Sequence, residues 1–235
     1  MKAQHFKNVF FTVFMIGCVA GAIPGFADVG TARTADEALA LLKEGNARFV
    51  SMKMEHPEED AARREETAAS GQKPFVMVFG CADSRVPVEM IFDRGIGDIF
   101  VSRVAGNVAA DSSVIGTLEY AAGHLHVPLL VILGHTQCGA VGLVVAGSEG
   151  EGGARDILKR IAPAVEQAKT EYPGLQGDAL AAEAVKQNVF QAEKDLLAGS
   201  EEIRGLVAKG ALKVVPAVYD IKTGKVEWIE KSGQK

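Results

Sequence analysis

The chain has 235 residues, with 25 basic and 30 acidic side chains, a formal net charge of −5 and 48% hydrophobic residues. An acidic balance without a long basic run argues against nucleic acid and anionic membrane surfaces as partners. The length and apolar content suit one folded domain with a sizeable core.

Lys2 and Lys7 precede an apolar stretch from Val9 to about Ala22, and Gly25-Phe26-Ala27 puts small residues at the −3 and −1 positions of a signal-peptidase site. The expectation is a secretory signal over residues 1–27, cleaved before Asp28, a single mature domain over 28–235, and a periplasmic or secreted protein. The apolar stretch falls short of the roughly 20 residues that span a bilayer, so no stable membrane insertion is expected after cleavage. Lipidation at Cys18, in Met15-Ile16-Gly17-Cys18, ranks behind because methionine is a poor first residue for a lipobox. Cleavage would leave 23 basic against 30 acidic side chains, a net charge of −7, with Cys81 and Cys138 as the only cysteines. In an oxidising compartment the plainest expectation for two cysteines is a disulfide, and their surroundings must argue for anything else.

Thr34-Ala35-Asp36-Glu37 has the form of a capping box, and Ala38, Leu41, Leu42, Gly45 and Phe49 follow at helical spacing, which predicts a helix over about 35–51. The next segment, Met54 to Gln72, is charged and poor in apolar residues; it reads as a solvated helix plus loop. Four apolar runs then appear, at 74–80, 97–103, 127–134 and 212–220, each bounded by a turn-favouring or charged residue. Continuous β-branched and aromatic runs, without polar alternation, belong to strands buried on both faces. Helical stretches separate them, at about 113–124, 140–146, 156–169, 180–198 and 201–209. Strands alternating with helices predict an α/β fold with a mostly parallel sheet. The ending around Thr223-Gly224 adds a hairpin. The acidic, glycine-rich 147–153 stretch reads as a loop that repels phosphate, and 95–100 lacks a dinucleotide fingerprint.

Cys81 comes directly after the first predicted strand, and His135-Thr136-Gln137-Cys138 directly after the third. Ligands of open parallel sheets bind beyond the carboxyl ends of the strands, so both segments fall on the functional edge. Two thiolates and an imidazole suit zinc in softness and number, and three protein ligands leave a fourth position open, as in catalytic sites. Asp83 lies two residues beyond Cys81, and Arg85 two beyond that, as a bidentate partner that would keep the carboxylate ionised. By spacing alone the favoured reading of this pair is an ordinary ion pair closing a strand-end turn.

The segments Cys81-Ala-Asp-Ser-Arg85, Arg103-Val-Ala-Gly-Asn107 and Gly134-His-Thr-Gln-Cys-Gly-Ala140 resemble the signature segments of the β-class carbonic anhydrases, in order and with familiar gaps. The likeness extends through 87–108, Gly116 to Ala122 and Ala217 to Val226, so it covers most of the mature chain. It implies a central sheet of four parallel strands with one added C-terminal strand, flanked by helices, and an N-terminal helical arm. It implies one zinc per subunit on Cys81, His135 and Cys138, with Asp83 and Arg85 as the catalytic dyad. In a regulated form of the family, Asp83 itself would be the conditional fourth ligand. The implied reaction is reversible hydration of carbon dioxide to bicarbonate and a proton, with hydroxide on the zinc as nucleophile, in a homodimer or homotetramer. Arg103 and residues 105–107 would support the site, with a plain strand-to-helix turn standing as at least an equal reading of them. His124 and His126 are weaker candidates for proton transfer, since they follow a helix and belong to no motif. Three alternatives stand beside this reading: a related zinc hydrolase acting on CS2 or COS, a non-catalytic zinc- or bicarbonate-sensing protein with Asp83 closing the site, and a metal-free domain with a Cys81–Cys138 disulfide.

Overall fold

A computed structural model describes residues 34–109 and 111–230. The expected signal segment over 1–27, with Cys18, lies outside them. The first helix, α1 (Ala35–Val50), begins with the expected capping box: the Glu37 amide donates to Thr34 Oγ1 at 3.2 Å and the Thr34 amide to the Glu37 carboxylate at 3.0 Å. Ala38, Leu42, Gly45 and Asn46 form its buried stripe. The charged segment contains α2 (Ala61–Ser70), which buries no residue and is attached mainly through Arg63, whose Nε donates to the Ile96 carbonyl at 2.8 Å.

The four apolar runs become β1 (Val76–Gly80), β2 (Ile99–Arg103), β3 (Leu129–His135) and β4 (Lys213–Tyr219), and a short β5 (Val226–Trp228) follows. They form one sheet in the order β2-β1-β3-β4-β5, with β1 to β4 parallel and β5 antiparallel to β4. This is the expected four-plus-one arrangement. The hairpin turn is held by the Asp220 carboxylate, which accepts from the Lys222 and Thr223 amides, and by Gly224 at φ 77°.

The continuous apolar runs are explained by burial on both faces. Met77, Phe79, Leu130 and Ile132 point to one side, while Val76, Val78, Leu129, Val131 and Leu133 point to the other. A short helix that sequence periodicity does not register, α3 (Val88–Ile91), packs with α1 on the second side. The first side is covered by α4 (Ser112–Glu119), α5 (Gly139–Val145), α6 (Gly152–Glu171), α7 (Gly177–Gly199) and α8 (Glu201–Ala208).

Two local departures from expectation appear. The 113–124 helix loosens after Glu119 into a π-turn over Tyr120–His124, and the glycine-rich loop is shorter than expected because α6 takes Gly152 and Gly153 into its first turn. No helix among the described residues is long and apolar enough to cross a membrane.

Candidate metal centre

β1 lies between β2 and β3, so the chain leaves it on one side and returns on the other, opening a crevice beyond its carboxyl end. Cys81 follows β1, His135 ends β3, and Cys138 caps α5 three residues later. The structure brings these three together: their sulfur and ring-nitrogen atoms all lie within 4.8 Å of one another, and all three residues are buried. The two cysteines are free thiols, so the disulfide expectation does not hold.

The donor set fits a soft divalent cation. His135 Nδ1 lies 2.9 Å from the Thr136 carbonyl, which can only accept, so Nδ1 carries the proton and Nε2 keeps its lone pair. That Nε2 is buried and has no hydrogen-bond partner. A buried nitrogen lone pair left unmatched is costly unless a ligand takes it up. The Cys81 thiol is pulled down, first by a hydrogen bond with the Cys138 sulfur, against burial and with the Asp83 and Gly106 amides adding to it. Cys138 is pushed up, first by the Cys81 sulfur beside it and then by burial, against the Val141 and Ala140 amides. A dication would take both sulfurs as thiolates.

Asp83 stands beside the triad, with Oδ2 3.9 Å from His135 Nε2. Arg85 grips it with both prongs: Nε donates to Oδ1 at 2.9 Å, Nη2 to Oδ2 at 2.7 Å, and the Arg85 amide adds a bond to Oδ1 at 2.9 Å. These bonds hold the Asp83 carboxyl well below the usual carboxylate range against the opposing effect of partial burial. Arg85 Nη2 also reaches the Gln137 carbonyl at 3.2 Å, tying the two strand-end segments together.

Further residues brace this edge. Arg103, at the end of β2, donates from Nε to the Cys81 carbonyl at 2.8 Å and from Nη2 to the Asp83 carbonyl at 2.5 Å. The Val104 amide donates to the Gly80 carbonyl and the Ala82 amide to the Val104 carbonyl, continuing the β1–β2 ladder past the strands. The Gly106 amide donates to Cys81 Sγ at 3.3 Å. Sequence reasoning missed Asn188 on α7, which donates to the Gly106 carbonyl; an asparagine inside a helical stretch carries no motif to flag it. His124 and His126 are not brought to the centre. They precede β3, at the end of that strand opposite His135, where exposed His124 stacks on Tyr120 at 4.9 Å.

Comparison with known proteins identifies the family. A family model described as carbonic anhydrase matches residues 76–226. The chain is 42% identical over 188 residues to carbonic anhydrase 2 of Mycobacterium tuberculosis, covering 78% of this chain and 87% of that one. Its fold is similar to a β-carbonic anhydrase of Aspergillus fumigatus, with a TM-score of 0.67 at 31% identity over 85% of this chain and 92% of the other. It is also similar to one of two tetrameric β-carbonic anhydrases of Sordaria macrospora, with a TM-score of 0.64 at 27% identity over 72% and 87% of the two chains.

Proposed function

The chain belongs to the carbonic anhydrase family, in its β class, and from that premise we propose that it hydrates carbon dioxide reversibly at a zinc ion held by Cys81, His135 Nε2 and Cys138. The observation that carries the reading is the two-pronged Arg85–Asp83 pair standing beside the buried triad. When bound, zinc supplies a Lewis acid that acidifies a water molecule and so yields a nucleophile near neutral pH.

The chain's own residues then have separate tasks. Arg85 keeps Asp83 ionised, so that its carboxylate is an acceptor and never a donor toward the crevice. Asp83 accepts the O–H of the attacking water and so turns its lone pair toward carbon dioxide. Because both oxygens of Asp83 are engaged by Arg85, we propose the open form, in which Asp83 sits beside the metal position and does not fill it.

Stopped-flow carbon dioxide hydration across pH, with wild type and Asp83→Asn both zinc-loaded, tests this. The wild type should be active at neutral pH, and the substitution should cost about 100-fold or more, as expected when the acceptor that orients the attacking O–H is lost. Zinc-loaded wild type without activity from neutral to alkaline pH overturns the assignment; activity confined to above about pH 8 overturns the open form, since release of a carboxylate ligand is proton-coupled.

We further propose cleavage of residues 1–27 and a periplasmic or secreted mature domain over 28–235. We also propose a homodimer or homotetramer, which sedimentation equilibrium would distinguish from a monomer.

A further inference from the structure

Beyond β2 the chain makes a tight turn in which two successive residues adopt left-handed backbone, Gly106 at φ 68° and Asn107 at φ 43°. Glycine tolerates this freely, but a non-glycine residue there carries a strain that surrounding structure must hold in place. The turn packs closely against α6: a Cβ on Gly106 would come 2.6 Å from Ile161 Cδ1. The Asn107 amide closes it onto the Val104 carbonyl at 3.0 Å. The result is that the Gly106 N–H points at the sulfur of Cys81.

One side chain from a distant element fastens this turn. Asn188 is 2% exposed and sits on α7 among Ala184, Val185, Val189 and Ala192, all buried and apolar. An amide in such surroundings is costly unless its donors are used. Its Nδ2 donates to the Gly106 carbonyl at 2.8 Å and lies 3.3 Å from Asn107 Oδ1. Asn188 thus grips both left-handed residues at once, from 82 and 81 positions away in sequence.

We infer that Asn188 is a positioning residue of the metal centre: by fastening the Gly106–Asn107 turn it holds the Gly106 N–H on the Cys81 sulfur, and so sets how strongly that thiolate donates to the bound metal. This rests on the zinc reading above. An N–H···S bond draws electron density from a thiolate ligand, and such outer partners tune both affinity and the acidity of the metal. Asn188 touches neither metal nor substrate, so its effect passes entirely through Gly106.

The test compares zinc- and cobalt-loaded full-length protein as wild type, Asn188→Ala and Asn46→Ala. Asn46 is the control: it is another buried helix asparagine, bonded to the Ile91 and Gly224 carbonyls and the Val226 amide, on the opposite face of the sheet. Asn188→Ala should weaken zinc binding by roughly 10- to 100-fold in competition with a chromophoric chelator. It should also move the sulfur-to-cobalt charge-transfer band to lower energy and shift the pH–activity profile to higher pH. Asn46→Ala should lower thermal stability while leaving band, affinity and profile at wild-type values. If Asn188→Ala does not fold, Asn188→Ser, which keeps a shorter donor, should give a smaller shift in the same direction. In cadmium-loaded wild type, through-bond coupling between the Gly106 amide proton and the metal should be present whatever the variants do. Its absence, or a charge-transfer band that Asn188 substitutions leave in place, overturns the inference. A wild type that binds no stoichiometric zinc would instead sink the reading on which it rests.

Discussion

Asp98, just before β2, offers a stability measurement whose sign follows from the structure. Its carboxyl is fully buried; one oxygen accepts the Gly95 amide at 3.1 Å and the other has no hydrogen-bond partner. Arg63 Nη2 stands 3.6 Å away and Arg94 nearby adds positive charge, while Glu58 adds negative charge. Burial outweighs the cations, and the carboxyl is pushed up to about 6. The unfolded chain releases the same proton near pH 4. Between these values the folded state binds more protons than the unfolded one, so this group's contribution to stability falls as pH rises and its full penalty is present above about pH 6.

Asp98→Asn removes the titration and retains an oxygen for the Gly95 amide. Its buried NH2 adds a cost that does not vary with pH, so the informative quantity is the difference between the two proteins at each pH. From pH 5 to 7.5, wild type should lose about 1.4 kcal/mol relative to Asp98→Asn. In a domain of this size that corresponds to roughly 3–6 °C in relative Tm. Thermal unfolding of both proteins at fixed protein and zinc concentrations reads this directly, because shifts at the metal centre are common to both and cancel. Parallel Tm profiles, or a wild type that gains on the variant as pH rises, would refute the argument that burial dominates at Asp98.

Two other outcomes are expected. Arg103→Met removes the donors to the Cys81 and Asp83 carbonyls; because the arginine is exposed, stability should fall by only about 1–2 kcal/mol, whereas zinc affinity and hydration rate should both drop by roughly 10-fold or more as the strand-end turn loses its shape. Intact-mass measurement of protein recovered from an expressing bacterium should give a chain beginning at Asp28; a mature chain retaining residues 1–27, or a lipid-modified Cys18, would remove the proposed processing route.

Much of the fold was legible in sequence because burial on both faces writes itself as unbroken apolar runs. Residues 76–79 and 129–133 alternate sides of the sheet with apolar residues on both, so no polar position interrupts them. The first helix was legible from a capping box that is local by construction. α3 was not, since four residues are too few to show a period, and the π-turn after Glu119 preserves the helical pattern while changing its geometry.

At the metal centre the division follows sequence distance. Cys81, His135 and Cys138 could be picked out because each lies within a few residues of a strand end, where chemistry-bearing side chains in a parallel sheet collect, whereas Asp83 and Arg85 stood out from an ordinary ion pair only through the family resemblance. The sequence by itself therefore determined the donor chemistry and the edge on which it gathers. Only the tertiary structure decided the strand order β2-β1-β3-β4-β5, the free state of the two thiols, the tautomer that leaves His135 Nε2 bare, and the engagement of both Asp83 oxygens by Arg85. It alone brought in Asn188, whose partners lie more than 80 positions away. The physical reason is that ligand identity is a property of side-chain type, whereas the hydrogen bonds that aim those ligands depend on backbone carbonyls and amides, which every residue carries and no sequence distinguishes.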